Sequence, residues 1–158
     1  LPNRMRFGLE AVQAIRAEVG DRLMLFYRHT PVKDGSYGLE DSLAFAQELV
    51  AAGVDVLDIS PSSIEAPGDR AAPFRRFGVP VVAVGNLDGP GRAEEALREG
   101  RADLVAVGRG QIADPDWAAK AQRGDWSGIT VCTKCNRLCF GNLRKGLPIA
   151  CKEWPKPA

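Results

Sequence analysis

Four thiols define the chemistry this chain could carry. Cys132, Cys135, Cys139 and Cys151 follow C-x2-C-x3-C-x11-C within VCTKCNRLCFGNLRKGLPIACKEWP, and no cysteine precedes them. Four thiolates offered by a short, loop-rich segment can hold an iron–sulfur cluster or a zinc ion. Structural zinc is usually built from two C-x2-C knuckles or from cysteines with added histidines. Here there is a single C-x2-C, and the one histidine, His29, lies far upstream. Three close thiols and a distant fourth suit the four corners of a [4Fe–4S] cluster. Disulfides are the remaining alternative, and residues 1–20 contain no charged-then-apolar export signal that would favour them.

Two further groups stand at the ends of apolar runs. VAVGN ends on Gly85 and Asn86, and VAVGRG ends on Gly108, Arg109 and Gly110. Glycine lets backbone N–H groups approach phosphate oxygens, and arginine adds a charged donor fork. The same glycines also serve as plain tight-turn residues. Arg28 closes LMLFYR, where its guanidinium either faces a ligand and steadies negative charge or is simply exposed. His29 reads as a loop histidine. Asp55 and Asp58 resemble a carboxylate pair, but their spacing puts them on opposite faces of a strand. Lys134, Arg137, Arg144 and Lys145 surround the thiols, either offsetting an anionic cluster or forming a solvated surface. Trp117, Trp126 and Trp154 are expected to pack around helix 115–123 and the cysteine segment.

The elements that must hold these groups alternate. Residues 4–18 place Phe7, Val12 and Ile15 at helical spacing, and Gly20 stops the run. Apolar runs 23–28, 54–60, 79–85 and 102–108 read as buried parallel strands. Helices are predicted over 39–53 and 91–100, each closed by glycine, with a loop and short helix over 61–78. Asp114 and Pro115 read as N-cap and first residue of helix 115–123. The helix–glycine–strand unit occurs twice, as ELVAAGVDVLDIS and EALREGRADLVAVG. Such repeated units argue for a parallel sheet covered by helices. Four strands make either a small open sheet of flavodoxin type, with helices on both faces, or half of a barrel whose outer strands need partners.

With 158 residues, 45% apolar and 26% charged, the chain has the composition of a globular domain with one core. Its formal charge of +1 gives no electrostatic reason to expect nucleic acid or an anionic membrane as partner. No apolar run approaches the roughly 20 residues that span a bilayer. Reduced thiols in a metal-type pattern, with no export signal, point to the cytoplasm.

NRMRF, RHTPVKDG, EDSLAFAQELVAAGVDVLDIS, VGNLDGPGRAEEALREGRADLVAVGRGQIADPDW and the cysteine segment together resemble the C-terminal half of the iron–sulfur branch of the Old Yellow Enzyme flavoproteins. The types of that branch are 2,4-dienoyl-CoA reductase and trimethylamine dehydrogenase. The resemblance implies an α/β fold, the last four βα units of a TIM (β/α)8 barrel over 1–124, followed by an iron–sulfur segment over 125–158. It implies an oxidoreductase component that uses FMN and a [4Fe–4S] cluster to reduce activated C=C bonds or oxidise amines. Arg28 matches the arginine beside the flavin pyrimidine edge. Gly85, Asn86, Gly108 and Arg109 match the FMN phosphate loops, and the four cysteines match the cluster ligands. The first four strands of such a barrel, which bind and protonate a small-molecule substrate, have no counterpart here, and no catalytic acid or base is assigned to this chain. The expected partner is therefore an N-terminal half-barrel polypeptide or an oligomeric complement. The alternative is a non-catalytic half-barrel scaffold with a structural zinc site.

Overall fold

The computed structural model describes residues 2–61 and 70–154. It divides into two compact units, Leu1–Asn86 with Ala96–Ala106, and Leu87–Glu95 with Val107–Ala158. The first unit holds the whole sheet: β1 Phe26–His29, β2 Val56–Ile59, β3 Val81–Val84 and β4 Leu104–Ala106. All three pairings are parallel and the strands lie in the order β1-β2-β3-β4. This order removes the flavodoxin-type alternative. Right-handed crossovers that always step the same way put every crossing segment on one face, whereas helices on both faces require the order to reverse. The winding is that of a barrel segment.

The sheet register separates the two faces. Tyr27, His29, Leu57, Ile59, Val81, Ala83 and Val105 share one face; Phe26, Arg28, Val56, Asp58, Val82, Val84, Leu104 and Ala106 share the other. The first face carries the core. Leu57 and Val81 are fully buried there, as are Leu49 of α2 (Leu39–Ala51) and Phe74 of a 3-10 helix (Ala72–Phe77). On the second face Phe26 and Leu104, at the two sheet edges, remain 58% and 49% exposed. Val56 and Val82 in the middle of that face are buried, so the exposure is confined to its edges, and among the described residues β1 and β4 pair on one side only, as the outer strands of a barrel segment do.

Helix α1, Pro2–Val19, lies close to α2 and the sheet because residue 8 is glycine. A Cβ on Gly8 would come within 2.7 Å of both the Phe45 ring and the Tyr27 hydroxyl. The helical spacing of Phe7, Val12 and Ile15 is real, but only Val12 is buried. Phe7 is 84% exposed, so the apolar stripe did not decide which side faced the core.

The two sequence repeats fold into the same clamp. In the first, Arg16 of α1 donates to the carbonyls of Gly53, Gly20 and Leu23 and to Asp55 Oδ2. Asp55 Oδ2 also accepts from Leu25 N–H at 2.7 Å. In the second, Arg75 donates to Gly100 O and Asp103 Oδ1, and Asp103 Oδ2 accepts from Val81 N–H at 2.9 Å. Each carboxylate thus satisfies the amide at the mouth of the preceding strand. Each arginine closes the carbonyl of a left-handed glycine, Gly53 at φ +102° and Gly100 at φ +67°. The Leu25 amide, and then Arg16, hold the Asp55 carboxyl below its ordinary range.

The boundary between the units falls within α3, Pro90–Arg98. The second unit contains α4 Arg109–Ala113, α5 Trp117–Gln122 and α6 Phe140–Leu143. Sequence periodicity predicted α5 alone. Its N-cap is Asp116 rather than Asp114, and it begins at Trp117 rather than at Pro115. Asp114 is buried and otherwise engaged: it accepts from Lys120 Nζ, Thr130 N–H and Asp116 N–H. These partners, Lys120 foremost, pull its carboxyl below the usual range. The bond from Thr130 anchors the entry to the cysteine segment.

Candidate functional site

On the open face of the sheet, Arg28 lies directly opposite Asp58 in the register. Its Nη2 donates to Ser60 Oγ at 2.8 Å, and its Nη1 stands 3.6 Å from Asp58 Oδ2. Arg28 is largely exposed, so a fixed cation stands on the face where a barrel would hold its ligand. Asp58 Oδ1 is buried without a hydrogen-bond partner among the described residues. Burial pushes the Asp58 carboxyl above its ordinary range, against the opposing pull of Arg28. Asp55 belongs to the clamp instead, so the two carboxylates do not form a pair.

His29 is not a loop residue. It ends β1 on the core face, with its ring stacked on Tyr37 and packed edge-on against Phe45 and Phe74. Its Nε2 is buried without a partner among the described residues, and burial pushes its pKa down to about 4. Between that value and 6.5 the unfolded chain binds the extra proton and the folded chain does not. Folding stability is therefore whole above pH 6.5 and falls as the pH drops towards 4, by at most about 3 kcal/mol. Urea midpoints for the protein and for His29→Phe, followed over that range, should diverge in this sense. Parallel curves would remove His29 as the cause.

Gly85 (φ +106°) and Asn86 (φ +54°) follow β3 as consecutive left-handed residues, so the backbone turns sharply at this strand end. Gly108 is the N-cap of α4 and Arg109 its first residue. Arg109 extends to the cysteine segment, where its Nη1 donates to Asn136 Oδ1 at 3.3 Å.

The four cysteines line one small pocket of about 20 Å³, with Arg109, Ile112, Asn136 and Lys152 among its walls. None is in a disulfide. The loop between the first three is curled by left-handed backbone at Lys134 (φ +57°) and Asn136 (φ +55°). These are costly conformations for residues with a side chain, and here they aim amides at sulfur. Lys134 N–H donates to Cys132 Sγ at 3.4 Å. The Arg137 amide first, then the Thr133 side chain and the charges of Lys152 and Arg137, draw the Cys135 thiol below its ordinary range. Two ties close the segment: Ala150 N–H to Leu138 O at 3.1 Å, and Trp154 Nε1 to Ile112 O at 2.7 Å. Among the described residues no three His, Cys, Asp or Glu side chains converge as the ligand set of one ion. The sulfurs surround a pocket instead. A donor set of four thiolates, with amides and cations turned towards them, fits an anionic iron–sulfur cluster.

Comparison with known proteins decides the family. The NADH:flavin oxidoreductase / NADH oxidase family matches residues 1–126. The chain belongs to that family. It is 36% identical over 155 residues to the NADH oxidase of Thermoanaerobacter brockii, a match covering 87% of this chain and 24% of that protein. To the dimethylamine dehydrogenase of Hyphomicrobium sp. it is 29% identical, over 96% of this chain and 23% of that protein. The structure of histamine dehydrogenase from Rhizobium sp. 4-9 superposes with a TM-score of 0.83 at 24% identity, covering 98% of this chain and 24% of that one. The fold is thus α/β, a four-stranded segment of the family's TIM barrel. The chain spans about a quarter of the length of these relatives.

For a member of this flavoprotein family, two residues of interest escaped the sequence reading. Asp58 was discounted because it was judged with Asp55, and only the register between β1 and β2 places it beside Arg28. Asn136 carried no signal at all, since an asparagine between two cysteines shows its value only once the backbone is seen to be left-handed there. Trp117 is buried and donates its Nε1–H to Asp88 O, whereas Trp126 and Trp154 stay about 40% exposed.

No helix among the described residues is long and apolar enough to cross a membrane.

Proposed function

We propose that this chain is the cofactor-holding portion of a flavin-dependent oxidoreductase that binds FMN and a [4Fe–4S] cluster and acts on an amine or an activated C=C bond. One observation carries the reading: four cysteines around a single pocket, with amides turned to sulfur, follow a barrel segment of a flavin oxidoreductase family. Four thiols on the wall of one pocket offer one thiolate for each iron corner of such a cluster.

Residues 1–124 serve FMN and residues 125–158 the cluster. When bound, FMN supplies hydride and single-electron chemistry, and the cluster supplies single-electron transfer. Arg28, oriented by Ser60 and Asp58, places a permanent positive charge where a reduced, anionic ring system needs it. Gly85 and Asn86, at the backbone turn after β3, and Gly108 and Arg109, at the start of α4, are the residues assigned to the FMN phosphate. Cys132, Cys135, Cys139 and Cys151 hold the cluster. The substrate is a small molecule, bound and protonated by residues of the complementary half-barrel, which also pairs the open edges of β1 and β4. The dimethylamine dehydrogenase relative supports an amine substrate and the cinnamate reductase relative an activated C=C bond. The enzyme works in the cytoplasm.

Metal analysis and a visible spectrum test the proposal. The protein together with its barrel complement should contain iron and acid-labile sulfide in equal amounts, with the absorption bands of oxidised flavin. A colourless protein holding only zinc would replace the reading with that of a structural scaffold.

A further inference from the structure

We propose that Arg109 is an electrostatic positioning residue for the cysteine pocket, holding the C-x2-C-x3-C loop through Asn136 and setting the potential at which the bound cluster accepts an electron. This rests on the cluster reading above. It also goes beyond it, because the sequence assigns Arg109 to phosphate alone.

Arg109 begins α4, and its guanidinium reaches 27 residues along the chain to Asn136 Oδ1 at 3.3 Å. Asn136 lies in the left-handed region between Cys135 and Cys139, and its main-chain carbonyl accepts from Gly141 N–H at 2.9 Å. That residue is thus held by α6 through its backbone and by Arg109 through its side chain, with a ligand on either side of it in sequence. Arg109 also forms part of the wall of the pocket that all four thiols line. Its charge is permanent, and among the described residues no carboxylate pairs with it.

The step affected is simple. A cluster held by the four thiolates would take one electron from the reduced flavin, which would be oxidised by one electron; no covalent bond would form or break, and the anionic charge within the thiolate cage would rise by one. A fixed cation on the wall reduces the cost of that added charge and so raises the reduction potential. One Nη of the guanidinium serves Asn136, which leaves further donors of the fork for a phosphate. The same side chain can therefore serve both cofactors.

The test is a redox titration with dithionite, followed by the electron paramagnetic resonance signal of the reduced cluster. Iron, sulfide and flavin are measured in every sample. At the wild-type midpoint, Arg109→Ala should reduce the ratio of reduced to oxidised cluster about tenfold, a negative shift of ~59 mV for one electron. Arg109→Lys, which keeps the charge, should stay near wild type, and Asn136→Ala should fall between. An alanine variant with full iron and an unchanged midpoint overturns the proposal, as does one that loses flavin alone. A lysine variant shifted as far as alanine overturns the role of charge. If Arg109→Ala fails to take up a cluster, Asn136→Ala decides: a negative shift supports the proposal, and a wild-type midpoint overturns it. Wild-type protein without iron or sulfide sinks the cluster reading itself, before any variant is compared.

Discussion

Replacing Arg16 with alanine should destabilise the protein by about 3 kcal/mol, the largest loss expected from any single side chain outside the apolar core. The guanidinium is only 18% exposed and uses all five of its N–H donors. Three backbone carbonyls, of Gly20, Leu23 and Gly53, lose their partner together, and Asp55 loses its counter-charge. Hydrogen bonds to charged groups are each worth about 1.5–3 kcal/mol. Water entering the gap recovers part of the sum, so the net effect stays near the value of one or two bonds. Arg75 provides the internal control. It occupies the same place in the second repeat, yet it is 40% exposed and among the described residues its side chain bonds only Gly100 and Asp103. Arg75→Ala should therefore cost less than about 1 kcal/mol, in line with an exposed ion pair. Urea denaturation of both variants at neutral pH measures the difference. Equal midpoints for the two would show that the clamp adds nothing beyond a surface bridge.

The clamp also shows what the sequence contained and what it concealed. The repeat was visible as ELVAAGVDVLDIS and EALREGRADLVAVG, because glycine after a helix and alternation into a strand are local signals. Its arginines were not visible, since Arg16 and Arg75 lie 39 and 28 residues before the carboxylates they meet. Strand count was legible, but winding was not. The same four βα units can cover one face or two, and only the order β1-β2-β3-β4 decides. Boundaries moved where tertiary pairing overrode pattern. LMLFYR is apolar from residue 23, yet β1 begins only at Phe26, because the Leu25 amide is taken by the Asp55 side chain and the parallel ladder starts at the Phe26–Val56 pair. Helices α4 and α6, of five and four residues, are too short to show a period. Among the candidate site residues, the cysteines were found by spacing, which is a property of the chain itself. Asn136 and the reach of Arg109 depend on backbone that turns left-handed, which residue types other than glycine rarely announce.

On the proposed cluster, serine in place of Cys151 should abolish the visible absorption that iron and sulfide give, or reduce the iron to three atoms or fewer where four are expected. Cys151 is the thiol most distant in sequence, and the structure explains how it returns to the others. The bond from Ala150 N–H to Leu138 O draws the residue before it beside the third cysteine's loop. The Trp154 bonds to Cys151 O and Ile112 O fasten the residues after it. These ties involve backbone and indole, not the thiol, so the loop should keep its path in the serine variant. Far-UV circular dichroism should then change little while iron and sulfide fall. A serine hydroxyl is a harder and far less acidic donor than a thiol, which is why one sulfur-to-oxygen change is enough. Adding Trp154→Phe separates position from chemistry: it leaves all four thiols in place but removes the bond to Ile112, and should slow cluster assembly without changing the final iron content. A Cys151→Ser protein that retains full iron, sulfide and colour would show that the fourth corner is held from elsewhere. In that case Cys132, Cys135 and Cys139 alone would be this chain's ligands.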